Sequence, residues 1–460
     1  MTHHRLLAVL STLALLHATN AFAQSDATPD REHVSVTVYN NDLGVVRDVR
    51  AFAIAKGLAR LELRDVPSHI DPTTVRISAL EHPNDLAILE QNYEYDLVSQ
   101  EKLLSKYIDK TITLTDGGRP YEATLLAVEQ GKLTVRTPNG IEMLASSRTL
   151  TVPTLADGLI TRPTLVWLAQ SRDAYAREPL EVLYQTSGLT WHAEYIATLA
   201  DDDRSLDLGG WVSVNNTSGA TYRDAKLKLV AGAVHRATPA QPLMMAARRV
   251  KGEAMTDIGA PQFEERGMFE YHLYDLSDRT TTLANNEFKQ ISLLSARSIN
   301  TTKRYVYEGG SAVAVELSIE NSEASHLGMP LPMGTVRVMK RDKDGSLEFV
   351  GEDRIEHTPR DEKVTLHVGN AFDLTGSREL TASQQIAKNT TEETIAVTVK
   401  DHKQEDVTID VVEDLGMNWE ITTSSLPFEK KNASTVIFHT PVKARGETKV
   451  TYTVRRHWND

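Results

Sequence analysis

Asp342 to Glu348 (DKDGSLE) is the stretch of this chain closest to a metal-binding pattern. Acids alternating around a glycine are how a calcium loop gathers oxygens about one ion. Here the third oxygen ligand before the glycine and the distant glutamate are both missing. Asp-Gly between the strand-like runs Val336–Lys340 and Leu347–Val350 is instead a hairpin signal, and we read it as that turn. Asp201-Asp202-Asp203-Arg204 is read the same way, as a solvated connection between strands. The 15 histidines are scattered, with no H-E-x-x-H or H-x-H, so no metal ligands are expected. G-x-S-x-G, G-x-G-x-x-G and the P-loop are absent, so neither a nucleophile elbow nor a cofactor is expected. With no cysteine, thiolate catalysis, Cys-ligated zinc and iron–sulfur clusters are excluded. The 63 acids offer many pairs for glycoside hydrolysis and single out none. The sequence therefore assigns no catalytic, cofactor-binding or metal-binding residue and leaves the binding residues open.

Aromatic residues are the remaining lead. Trp191-His192-Ala193-Glu194-Tyr195 and Trp211 lie on strand-like runs, where core packing is favoured over a ligand platform. Tyr271-His272-Leu273-Tyr274-Asp275 borders an irregular stretch, residues 238–266, and is read as a packed strand in preference to a binding lip. Met244, Met245 and Met255 within that stretch could offer a soft apolar surface; incidental methionines in a mobile excursion are the preferred reading.

The elements that would position these residues are strands. Val34, Val36 and Val38 alternate with polar residues, as do Leu61 and Leu63, and Val450, Tyr452 and Val454. Helical periodicity is confined to residues 97–108, with Asp96 or Ser99 as cap. The expected fold is all-β and multidomain: antiparallel β-sandwiches plus a small SH3-like barrel, with few short helices. The spacing of turn signals divides the chain into an N-terminal β-sheet domain at 31–96 and a short helix with the barrel at 97–153. A central β domain at 160–375 carries the 238–266 excursion, and an immunoglobulin-like sandwich occupies 376–460.

Residues 1–23 read as a signal peptide: His3, His4 and Arg5 precede an apolar run from Leu6 to Leu16, and Ala21-Phe22-Ala23 supplies the small residues of a cleavage site. The apolar run is too short to span a bilayer, and no later run approaches spanning length. The chain carries a net charge of −13, and losing Arg5 with the leader makes it more negative, which gives no footprint for nucleic acid. An exported chain without cysteine fits a periplasmic or secreted protein of a bacterial envelope. The glycosylation sequons at Asn215, Asn300, Asn389 and Asn432 are then chance products of composition.

The order of motifs resembles the exported bacterial DUF4139 family, whose function is unknown. The resemblance is carried by Trp191–Tyr195 (WHAEY), Leu229–Gly232 (LVAG), Tyr271–Tyr274 (YHLY), Leu327–Val338 (LGMPLPMGTVRV), Phe349–Ile355 (FVGEDRI) and Trp419–Ile421 (WEI). It spans residues 163–458 and implies an all-β fold, with no catalytic residue, cofactor or substrate. A more distant likeness is to mucoidy-inhibitor proteins.

The expected role is that of a non-enzymatic β-module protein binding or scaffolding another envelope protein or a surface polymer such as polysaccharide. The alternative is an envelope hydrolase of carbohydrate or peptide, with its site at a domain junction. An outer-membrane-associated assembly factor is a third reading, separable by fractionation. N-terminal sequencing of the protein recovered from an expressing bacterium is expected to begin at Gln24; a chain still starting at Met1 would overturn the leader.

Overall fold

The computed structural model describes residues 30–458 apart from 117, 130, 145–148, 157, 233, 235–262, 277 and 278. The expected leader, Met244, Met245, Met255 and most of the 238–266 excursion lie outside the described residues. The chain forms two compact units, one holding residues 30–34 and 46–185, the other 35–45 and everything from 186. Strands β1 (Asp30–Tyr39) and β2 (Leu43–Ile54) contribute residues to both. The fold is all-β.

The first unit continues through β3 (Gly57–Arg64), β4 (Ile70–Ala79), β5 (Leu86–Glu94) and helix α1 (Gln100–Lys106). Next come β6 (Thr111–Asp116), β7 (Arg119–Glu129), β8 (Lys132–Thr137), β9 (Gly140–Leu144), β10 (Thr149–Thr151), β11 (Thr164–Ser171) and β12 (Tyr175–Thr186). Ser99 caps α1, its hydroxyl accepting the Lys102 N–H at 3.2 Å. Strands β10-β6-β7-β8-β9 form an antiparallel meander whose last strand returns to the first, the strand order of an SH3-like barrel. Its core takes in Leu104 from the helix and Tyr107 from its C-cap, and the Tyr107 hydroxyl donates to the Thr154 carbonyl at 2.6 Å.

Turn spacing assigns residues 164–186 to the central domain, yet their backbones pair with the N-terminal strands. β11 lies between β3 and β5, and β12 between β2 and β4. A strand with neighbours on both edges and cover on both faces reads as an unbroken apolar run, as Leu165-Val166-Trp167-Leu168-Ala169 does. Such a run names no partner, and the barrel between β5 and β11 separates partners by some seventy residues of sequence. Trp167 is fully buried, and its indole N–H donates to Gln91 on β5 at 2.8 Å.

The second unit continues with β13 (Leu189–Leu199), β14 (Ser205–Asn216), β15 (Tyr222–Ala231), β16 (Glu264–Met268), β17 (Tyr271–Asp275) and β18 (Thr281–Leu283). β16 thus contains the last residues of the expected excursion. There follow β19 (Glu287–Tyr307), β20 (Ala312–Glu320), β21 (Gly334–Arg341), β22 (Leu347–Ile355), β23 (Lys363–Ala387) and β24 (Thr390–Asp401). The chain ends with β25 (Val407–Asp414), β26 (Trp419–Ser424), β27 (Glu429–Lys430), β28 (Thr435–Val442) and β29 (Glu447–His457).

Ten of these strands are hydrogen-bonded neighbours in the order β22-β21-β13-β14-β19-β20-β23-β24-β29-β26, while β25, β27 and β28 form the facing layer of the terminal sandwich. β13 pairs parallel with β21, and β19 with β25. The expected division at 375/376 falls inside β23, which pairs with β20 over its first half and β24 over its second. Where the partner changes, the strand crosses the Tyr307 ring at Gly376, and a Cβ there would lie 2.1 Å from that ring.

Gly334 shows the same constraint in backbone terms. It pairs with Ala193, and a Cβ on it would sit 2.1 Å from the Ala193 carbonyl oxygen. Gly334→Ala must push two paired strands apart, a loss expected at about 1–3 kcal/mol, read from the urea midpoint at unchanged slope. A midpoint equal to wild type would show that the β13–β21 pair has room to spare.

Candidate functional site

The residues that the sequence singles out separate into packing and turns. Trp191, Tyr195 and Tyr274 are buried, and each polar end meets a backbone carbonyl: Trp191 donates to Val230 at 3.2 Å, Tyr195 to Pro332 and Tyr274 to Pro330, both at 2.8 Å. Trp191 and Tyr274 meet edge to face at 6.1 Å. Burial holds both tyrosines far above their ordinary pKa, so neither supplies a phenolate. Trp211 is half-buried on β14 opposite Glu194. Tyr271 and His272 are half-buried, and His272 pairs with Glu265 at 2.7 Å.

Asp342 to Glu348 is the β21–β22 hairpin turn, with Gly345 at a φ of 90° and the Asp344 carboxylate accepting the Ser346 N–H and hydroxyl. Asp201 to Arg204 is the β13–β14 turn. Within it Asp203 binds Lys303 at 2.6 Å and also Lys340. Burial opposes its ionised form, and the two ammonium partners prevail, keeping its pKa below the ordinary value.

Besides His272–Glu265, the described residues hold histidine–carboxylate contacts at His192, His439 and His82, of which only His192–Glu194 is local in sequence. On β13, Glu194 accepts from His192 and Arg337; burial works against its charge and these partners outweigh it. On the terminal sandwich, His439 binds Asp410 through Nδ1 at 2.6 Å and Glu429 through Nε2 at 3.2 Å. Asp410 is shared with Arg304 at 2.7 Å.

The third cluster lies in the first unit, where the turn after β4 meets β12. Glu178, its side chain only 1% exposed, accepts the backbone N–H groups of Glu81 and His82 at 3.1 and 3.0 Å with one oxygen. Its other oxygen meets His82 Nδ1 at 2.6 Å. That bond, with nearby Asp85 and Glu81, raises the imidazole pKa. The His82 ring stacks on Tyr175 at 4.4 Å, and the Tyr175 hydroxyl donates to Asp85, a bond that with some burial pushes its pKa up to about 12. One donor atom from each of Glu81, His82 and Glu178 lies within 4.8 Å of the others, a grouping unique among the described residues. A search by short spacing passes over it because Glu178 is 96 residues from His82.

One surface feature differs in kind. From Ser377 to Lys388 every residue is exposed, although Ser377 to Ala387 belong to a hydrogen-bonded strand. Past residue 375 the described strands give β23 one neighbour, β24, so the opposite edge is open. Thr381 to Ala387 (TASQQIA) has no charge, proline or glycine, and Leu380 and Ile386 are 55% and 44% exposed. Bulges beside Leu380 and Gln385 twist the strand. At the hairpin tip Trp458 donates its N–H to the Asn389 carbonyl at 3.0 Å, and Trp458 and Met417 help wall an open cleft of about 650 Å³. An open edge presents backbone donors and acceptors that an extended segment can pair.

No family model matches the chain, and no curated protein matches it.

His439 has a raised pKa through its bonds to Asp410 first and Glu429 second. A raised folded-state pKa gives stability that is fully present below the unfolded value of about 6.5 and lost as pH rises through the folded value. Wild type is therefore expected to exceed His439→Gln in urea midpoint most at about pH 5.5 and least near pH 9. A gap that grew with pH would mean that Arg304 and Asp410 hold the contact without an imidazolium.

Proposed function

We propose that this protein is a binding and scaffolding component of the bacterial envelope that takes an extended segment of another envelope protein along the outer strand Ser377–Ala387. The carrying observation is the open edge itself. Natural sheets blunt such edges with charge, proline, bulges or cover, since an unpaired row of N–H and C=O groups recruits other strands; this strand has bulges but neither charge nor proline over Thr381–Ala387. Here seven consecutive uncharged residues stand exposed on an edge without a described neighbour.

Strand addition suits this geometry because the backbone supplies affinity while alternate side chains supply selectivity. Leu380 and Ile386 provide apolar contact for such a segment. The leader pattern of residues 1–23, the absence of cysteine and the likeness to the exported DUF4139 family support an envelope location.

The test is photo-crosslinking in cells with a benzophenone residue in place of Gln384. A discrete crosslinked protein is expected, and Ala382→Pro, which removes a backbone donor from the strand, is expected to abolish it. The reading is overturned if Gln384 yields no crosslink in folded, exported protein, or if the same product forms from exposed Thr408 on β25.

A further inference from the structure

We propose that Glu81, His82 and Glu178 bind a divalent transition-metal ion of the zinc class, a site separate from the strand-addition edge and argued on different observations. One imidazole nitrogen and two carboxylate oxygens already lie within 4.8 Å of one another. Nitrogen with oxygen donors suits zinc, nickel or copper; calcium and magnesium prefer oxygen alone.

Two of the three donors are oriented before an ion arrives. Glu178 is buried and clamped by the Glu81 and His82 backbone N–H groups, so its second oxygen has little freedom. His82 is held by that oxygen at 2.6 Å and by the face of Tyr175, itself tied to Asp85. Ordering side chains is a main cost of binding, and here the fold has met most of it. An ion would replace the proton between Nδ1 and the carboxylate, the exposed imidazole swinging out until the two ligands stand roughly 3 Å apart, and a Glu81 oxygen already lies within 4.8 Å of both.

The local charge favours a cation. Glu81, Asp85 and Glu178 surround one imidazole, while nearby Asp173 is paired, at 3.9 Å, with Lys56. The solvent side of Glu81 and His82 leaves coordination positions for water, the arrangement of an open site.

The experiment is calorimetric titration of chelator-treated full-length mature protein with zinc chloride, and separately with calcium chloride. Cobalt(II) absorption gives a second readout that a purely structural role would not produce. One zinc per chain is expected, with affinity reduced at least about tenfold in both His82→Ala and Glu81→Ala, and with calcium giving no saturable heat. The cobalt spectrum is expected to lose its ligand-field bands in His82→Ala. If His82→Ala unfolds, as judged by circular dichroism, Glu81→Ala alone decides, because that side chain is exposed. Absence of zinc binding in wild type, or equal affinity in Glu81→Ala, overturns the site. Neither result touches the Gln384 crosslink.

Discussion

The second unit depends on burying β13 without leaving a polar group unpaid. Its alternation places Leu189, Trp191, Ala193, Tyr195, Ala197 and Leu199 inward, and two of these carry a polar atom into the interior. An unpartnered buried donor costs about 1–3 kcal/mol, so the carbonyls of Val230 and Pro332 are as necessary to the strand as its apolar contacts. The Pro332 carbonyl belongs to the segment Leu327–Val338, which continues into β21 and pairs with β13 through Gly334. One segment thus caps a tyrosine and extends the sheet, and a side chain at Gly334 would disturb both.

Without disulfides, the chain ties distant segments together with buried carboxylates. Glu178 holds the turn after β4 to β12; Asp48 accepts from Arg31 at 3.0 Å and Arg50 at 2.9 Å; Glu413 accepts from Arg378 at 2.9 Å and the Tyr452 hydroxyl at 2.6 Å. Each is at most 4% exposed and has two or more donors. Removing one partner of such a set leaves a desolvated charge, the costly direction. The same anchoring can turn chemical where an imidazole joins, as at His82, because a group fixed for structure is also fixed for a ligand. At His439 the ring faces two acids on a more exposed surface and is held by hydrogen bonds to both.

The hairpin of β23 and β24 runs against this economy. Up to residue 375 the strand pairs with β20, and at Gly376, where β24 takes over, the Tyr307 ring leaves no room for a side chain. Beyond it, twelve residues stay exposed, with little to bury and one neighbour to bond. The sheet stability that a further strand on this edge would add is forgone.

Alternation determined the all-β class and the inward faces of strands such as Val34–Val38 and Val450–Val454, turn chemistry gave the Asp-Gly hairpin at Asp344-Gly345, and the helix cap was narrowed to Asp96 or Ser99, of which the structure uses Ser99. These are local properties, set by periodicity and by the backbone angles that single residues allow. The packing of Trp191 and Tyr195 was legible for the same reason, as large apolar residues on an alternating run. Which strand lies beside which was decided only by the tertiary structure. Leu165–Ala169 looks equally at home in any sheet until β3 and β5 close on it, and residue 375 looks like a boundary until β23 runs through it. The Glu81–His82–Glu178 cluster and the open edge belong to that second kind. Each depends on what stands next to a residue in space, and pairing between strands far apart in the chain leaves no mark in the residues between them.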